Sequence, residues 1–67
     1  MAIRRFYAFY EGVDGNSSVE YFTRLNSCME AINKHRSTGY QAGRITQRRY
    51  ERELKHGAYN TNQEDAD

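Results

Sequence analysis

A chain of 67 residues has room for one domain, and a domain of this size removes only ~60% of its unfolded surface from water, so its core is small and its stability marginal. The lone cysteine, Cys28, excludes a disulfide within the chain and cannot by itself supply the ligands of a structural zinc site. A net charge of +1 argues against whole-molecule attraction to nucleic acid, yet the charge is uneven: Lys34 to Lys55 hold seven Lys or Arg against two Glu, and residues 60–67 hold three acids and no base.

The chain opens on Met1-Ala2-Ile3-Arg4-Arg5, where charge and tyrosine interrupt the apolar run of about 7–15 residues that a signal peptide needs. No stretch approaches the ~20 apolar residues that cross a bilayer, so a cytoplasmic setting with no membrane partner is expected. Residues 2–11 are rich in aromatics and run into Gly12-Val13-Asp14-Gly15-Asn16-Ser17, which reads as a strand and a tight reversal. In that strand Ile3, Arg5, Tyr7 and Phe9 share one face and Arg4, Phe6, Ala8 and Tyr10 the other. With rings on both faces, one face is expected to meet a helix and the other to stay partly open.

Residues 18–25 alternate Val19, Tyr21, Thr23 and Leu25 against Glu20, Phe22 and Arg24, which suits a second strand paired with the first. A rival reading runs one long helix from Ser18 to Thr38, because Val19, Phe22, Leu25, Met29 and Ile32 also recur near helical spacing. Ser27 followed three residues later by Glu30 has the form of a capping box and favours a helix over 28–38. Cys28, Ala31, Ile32 and His35 would line its inner stripe, Lys34, His35 and Arg36 would close its last turn, and Gly39 would take the left-handed position beyond it.

Tyr40 to Thr46 reads as a third strand with a bulge at Gly43, and Gln47 to His56 as a short second helix stopped by Gly57. The competing reading continues the strand through Arg52. Residues 60–67, Asn-Thr-Asn-Gln-Glu-Asp-Ala-Asp, offer little to bury and are expected to form a disordered acidic tail behind a single domain over 1–59. The fold class is therefore α+β, a small antiparallel sheet with one packed helix in the order β-β-α-β and a closing helix where 47–56 coils.

Catalytic machinery finds no candidate. Cys28 and His35 fall on one helical stripe about two turns apart, ~10 Å, too far for an ion pair, and the carboxylates are scattered with Glu30 assigned to capping. Cys28, His35 and His56 have no metal-ligand spacing, and no glycine-rich phosphate loop follows a strand, so neither metal nor cofactor is expected.

The strongest functional signal is residues 44–55, which mix five cations with a tyrosine. Arg44, Arg48, Arg49 and Arg52 could grip phosphates or carboxylates bidentately, with Tyr50, Tyr7 and Tyr10 as aromatic contacts and Arg4 and Arg5 as aids. Tyrosine and arginine are also the residues that most often carry protein interfaces, while Glu51 and Glu53 inside the run suit an ordinary solvated helix face.

This order of an aromatic strand, an Asp-Gly turn, a second strand, a Ser-capped helix and a strand at Gly39-Tyr40-Gln41-Ala42-Gly43-Arg44-Ile45 resembles the build of small bacteriophage proteins that inhibit host machinery. Among these are short inhibitors of host RNA polymerase and some anti-CRISPR proteins. The resemblance covers residues 2–46, by layout, and brings no site residue with it. It implies a non-enzymatic inhibitor or adaptor that occludes a site on a host protein or nucleoprotein complex. The alternative is a small nucleic-acid-binding protein using the arginine-rich segment, and a homo-oligomer formed through an exposed strand is a third.

Overall fold

In the computed structural model, which describes residues 4–62, the aromatic N-terminal segment and the segment after the Asp-Gly turn pair as an antiparallel hairpin of β1 (Phe6–Glu11) and β2 (Ser17–Phe22). Register runs from Phe6 opposite Phe22 to Glu11 opposite Ser17. Asp14 shapes the turn by accepting from the Asn16 backbone N–H at 3.1 Å and the Asn16 side-chain amide at 2.8 Å. The pairing of Ser17–Phe22 removes the single long helix from Ser18.

Helix α1 (Leu25–Ser37) starts three residues earlier than the capping box predicts. Arg24 is its N-cap and makes no side-chain capping bond, while Ser27 lies exposed in the first turn. The Cys28 N–H already donates to the Arg24 carbonyl at 3.2 Å, so the helical ladder is closed before Ser27 could begin it. The inner stripe is as expected, with Cys28 and Ile32 buried and Ala31 and His35 half-buried. At the far end Gly39, with φ of 97°, turns the chain so that the Tyr40 N–H reaches the His35 carbonyl at 3.0 Å.

Strand β3 (Gln41–Ile45) pairs antiparallel with β1 from Gln41 opposite Glu11 to Ile45 opposite Tyr7. Register is continuous through Gly43, which stands opposite Phe9, so the expected bulge is absent. Thr46 then caps helix α2 (Gln47–Lys55), its Oγ1 accepting from the Arg49 N–H at 3.1 Å, and the continued strand is ruled out. After Gly57 the short strand β4 (Tyr59–Asn60) lies parallel to β2, giving a mixed sheet in the order β3-β1-β2-β4.

Residues 60–62 thus belong to the folded unit, contrary to a tail that begins at 60. Asn62 is the reason: its side-chain amide accepts from the Tyr21 N–H and donates to the Tyr21 carbonyl at 3.1 Å, imitating a paired strand residue. The remainder of the expected tail, residues 63–67, lies outside the described residues, as does Ile3.

The sheet carries a core on each face. Ala8 and Tyr10 pack on Cys28 and Ile32 of α1, flanked by Phe6, Phe22, Ala31 and Ala42. On the opposite face Val19, Tyr50 and Ala58 pack with Tyr7, Phe9, Tyr21, Ile45 and Leu54. The expected open aromatic face is therefore roofed by α2, because aromatic rings on both faces of a strand leave two surfaces to be taken out of water.

Candidate anion-binding end

Topology decides where the arginines go. β1 runs away from one end of the sheet, β2 and β3 run back towards it, and both helices start there. The start of β1, the ends of β2 and β3 and the N-termini of α1 and α2 therefore meet at one end, bringing Arg4, Arg5, Arg24, Arg44 and Arg48 together from four chain segments. All five are exposed.

Several of these side chains are held on rings. The guanidinium carbons of Arg4 and Arg44 stand 5.6 and 5.5 Å from the centroid of Phe6, and that of Arg5 is 4.6 Å from Tyr21. A guanidinium over a ring keeps its N–H fork turned outward while its flat face is occupied. Arg49 is placed the same way, 4.9 Å over Phe9, and its Nε also meets Glu53 at 3.4 Å.

Neither helix has an acid in its first turn, the place where carboxylates are ordinarily favoured. The nearest carboxylates along the two helices, Glu30 and Glu51, lie a turn or more inward, and Glu51 already accepts from Gln47 at 3.2 Å. From this end Arg48, Arg52 and Lys55 continue up the outer side of α2, at the i, i+4 and i+7 spacing opposite buried Tyr50. The one ion pair among the described residues is Arg49–Glu53, so this outer stripe stands unneutralised.

The residues singled out from the sequence are thus divided. Arg44 and Arg48 reach the basic end, Arg52 extends it, and Arg49 lies to the side over Phe9. Tyr10 and Tyr50 are inside and cannot meet a partner. Tyr10 is fully buried, donates to Glu20 Oε1 at 2.7 Å and stacks on His35 with ring centres 3.7 Å apart. Tyr50 is packed against Tyr7 at 4.8 Å and Tyr21 at 6.3 Å, which leaves Tyr7 as a half-buried wall of the second core. Tyr50 and Leu54, four residues apart on α2, form the inward stripe of that helix.

Arg24 was missed. Its signal is positional, since it falls between the end of a strand and the first residue of a helix, and it becomes visible only once the helix starts at Leu25.

Burial pushes the Tyr10 phenol far above the ordinary tyrosine range, and the bond to Glu20 adds to it. Burial also raises the Cys28 thiol and the Tyr50 phenol, so Cys28 is a closed-in hydrophobe with little thiolate. Among the described residues no three His, Cys, Asp or Glu side chains converge as a metal site would need, and no helix is long and apolar enough to cross a membrane.

Fold and surface together define a small α+β domain with one strongly basic end. Comparison with family models, with curated proteins and with solved structures found no match.

Proposed function

We propose that this chain is a non-enzymatic binding module that seats its arginine end on the phosphate backbone of a nucleic acid. The observation that carries this reading is the convergence of Arg4, Arg5, Arg24, Arg44 and Arg48 at the one end where strand termini and helix N-termini meet. Phosphate contacts supply affinity without reading sequence, and their release of counterions makes binding steeply salt-dependent. The exposed tyrosines, Tyr40 and Tyr59, follow the C-terminal ends of α1 and α2, at the opposite end of the sheet. The rings at the basic end, Phe6 and Tyr21, are half-buried with arginines over them, so little base stacking is offered there, which favours duplex over single strand.

A phage-type inhibitor or adaptor acting on a nucleoprotein complex would use the same end. The observation that favours a protein contact beside it is the outer edge of β3, which pairs only with β1 among the described residues.

Fluorescence anisotropy with a labelled duplex of about 20 base pairs tests the reading. Binding should weaken with salt along a log–log slope of roughly −3 to −4, given about 0.9 per neutralised phosphate. The double variant Arg24→Gln/Arg48→Gln should lose about two from that slope while keeping its circular-dichroism spectrum. No binding at low salt, or an unchanged slope in the folded double variant, would exclude this surface.

A further inference from the structure

The outward sides of β2 and β3 are treated differently. The Gly12 N–H donates to the Asn16 carbonyl at 2.9 Å, which sets the phase of the hairpin: Phe6, Ala8 and Tyr10 turn their backbone groups to β2, and Tyr7, Phe9 and Glu11 turn theirs to β3. By the same alternation Gln41, Gly43 and Ile45 bond inward, and Ala42 and Arg44 point their N–H and C=O groups outward. On β2 the outward groups of Val19 and Tyr21 are covered, Val19 by the Thr61 N–H at 3.0 Å and Tyr21 by the Asn62 amide. On β3 only the Ala42 carbonyl has an acceptor's role filled, by Arg36 Nε at 2.9 Å. The Ala42 N–H and both groups of Arg44 face outward with no partner among the described residues.

Beside this edge, on the α2 side, lies a hollow of about 280 Å³ walled by Phe9, Ile45 and Arg49 and floored by Gly43. A Cβ built on Gly43 would meet nothing nearer than Arg36 Nη2 at 4.0 Å, so the space is open to a side chain arriving from outside. Arg44 stands on the α1 side of the edge, the guanidinium of Arg36 lies along the edge itself with its Nε on the Ala42 carbonyl, and only Glu11, at the Gln41 end, brings a carboxylate to the hollow.

We propose that the outer edge of β3 accepts an extended acidic peptide as a further strand, bonded to Ala42 and Arg44, with one apolar side chain in the hollow over Gly43. Side chains alternate across a strand, so the peptide's carboxylates meet Arg44 on the α1 face while its apolar residues turn to Phe9 and Ile45 on the other. Arg36 now supplies the bond that a peptide N–H would supply. When the strand arrives, that exposed guanidinium is released to a carboxylate. Main-chain bonds give such additions their affinity, and alternate side chains give the selectivity. The charge at the edge chooses acid over base.

The probe is an acetylated eight-residue peptide alternating glutamate and valine, titrated by nuclear magnetic resonance into the intact chain without nucleic acid. Shifts should appear at Ala42, Gly43 and Arg44, and the lysine–valine counterpart should bind at least about tenfold more weakly. Two further peptides carry N-methyl groups on opposite alternate amides. The pattern that blocks the N–H groups turned to β3 should abolish binding, and the other should preserve it. Arg44→Glu should weaken binding about tenfold or more with an unchanged spectrum. Equal binding by both methylated peptides would reduce the contact to loose charge attraction and overturn the proposal. Failure of every peptide, with a mass that grows with concentration, would assign the edge to a second copy of this chain and overturn it too.

Discussion

Tyr10 shows how one residue joins the two layers of the small core. Its ring fills the space between the sheet and His35, and its hydroxyl reaches Glu20, the diagonal neighbour on β2, since Ala8 stands opposite Glu20 and Tyr10 opposite Ser18. A phenol held neutral by burial binds its proton more tightly folded than unfolded, so the sign of the pH effect is fixed. Stability is fully present below the unfolded tyrosine pKa of about 10 and falls as pH rises beyond it, by up to about 1.4 kcal/mol per pH unit for each such phenol. Melting temperature should hold from pH 7 to 9 and drop above about 10. Tyr10→Phe should lower stability at pH 7 by about 1 kcal/mol, through the lost bond to Glu20, and flatten the alkaline fall. An alkaline limb as steep in the variant as in the parent would assign the effect to Tyr50 or another group. The sequence makes clear that a buried tyrosine needs a hydroxyl partner. It does not reveal that Glu20 is that partner, because a one-residue slip of the hairpin would put Glu20 on the other face.

Helix starts were the least legible elements, and the two in this chain explain why. Ser27 and Glu30 have the capping-box spacing, yet the inner stripe of Cys28, Ala31 and Ile32 can be presented equally well by a helix one turn longer, and the extra turn adds backbone bonds. Thr46 carries no such pattern but stands where β3 must stop and α2 begin, and its hydroxyl takes the Arg49 N–H. Thr46→Ala should therefore cost about 1 kcal/mol, or about 4–8 °C in melting temperature for a domain of this size, while Ser27→Ala should stay within about 0.5 kcal/mol. The reverse ranking in thermal melts would restore the capping box. The strands were more legible, since alternation in Phe6–Glu11 and Ser17–Phe22 is set by the pleat itself. The candidate site was half legible: the charge of residues 44–55 is plain in the sequence, but its direction is not. Only the placement of α2 on the second sheet face turns Tyr50 inward and Arg48, Arg52 and Lys55 outward.

At the scale of the whole molecule, a net charge of +1 conceals a strongly uneven field. Five arginines share one end of a body 39 × 26 × 23 Å in extent, and a single intrahelical ion pair is formed among the described residues. Exposed ion pairs contribute little and are weakened by salt, whereas crowded like charges repel and are relieved by it. The ordinary expectation that salt loosens a charged surface is thus reversed here. Sodium chloride between 20 and 300 mM should leave the melting temperature unchanged or raise it, since the Debye length falls to less than about 10 Å above 0.1 M. Pyrophosphate at equal ionic strength should raise it further, because a ligand that binds the folded state alone stabilises it in proportion to the logarithm of its concentration, by about 2.7 kcal/mol at a hundredfold excess over its dissociation constant. In Arg24→Gln/Arg48→Gln the extra rise with pyrophosphate should disappear and the melting temperature at low salt should increase, as two of the five repelling charges are gone. If the variant instead melts lower at low salt and keeps its response to pyrophosphate, those arginines stabilise the fold and the anion binds elsewhere.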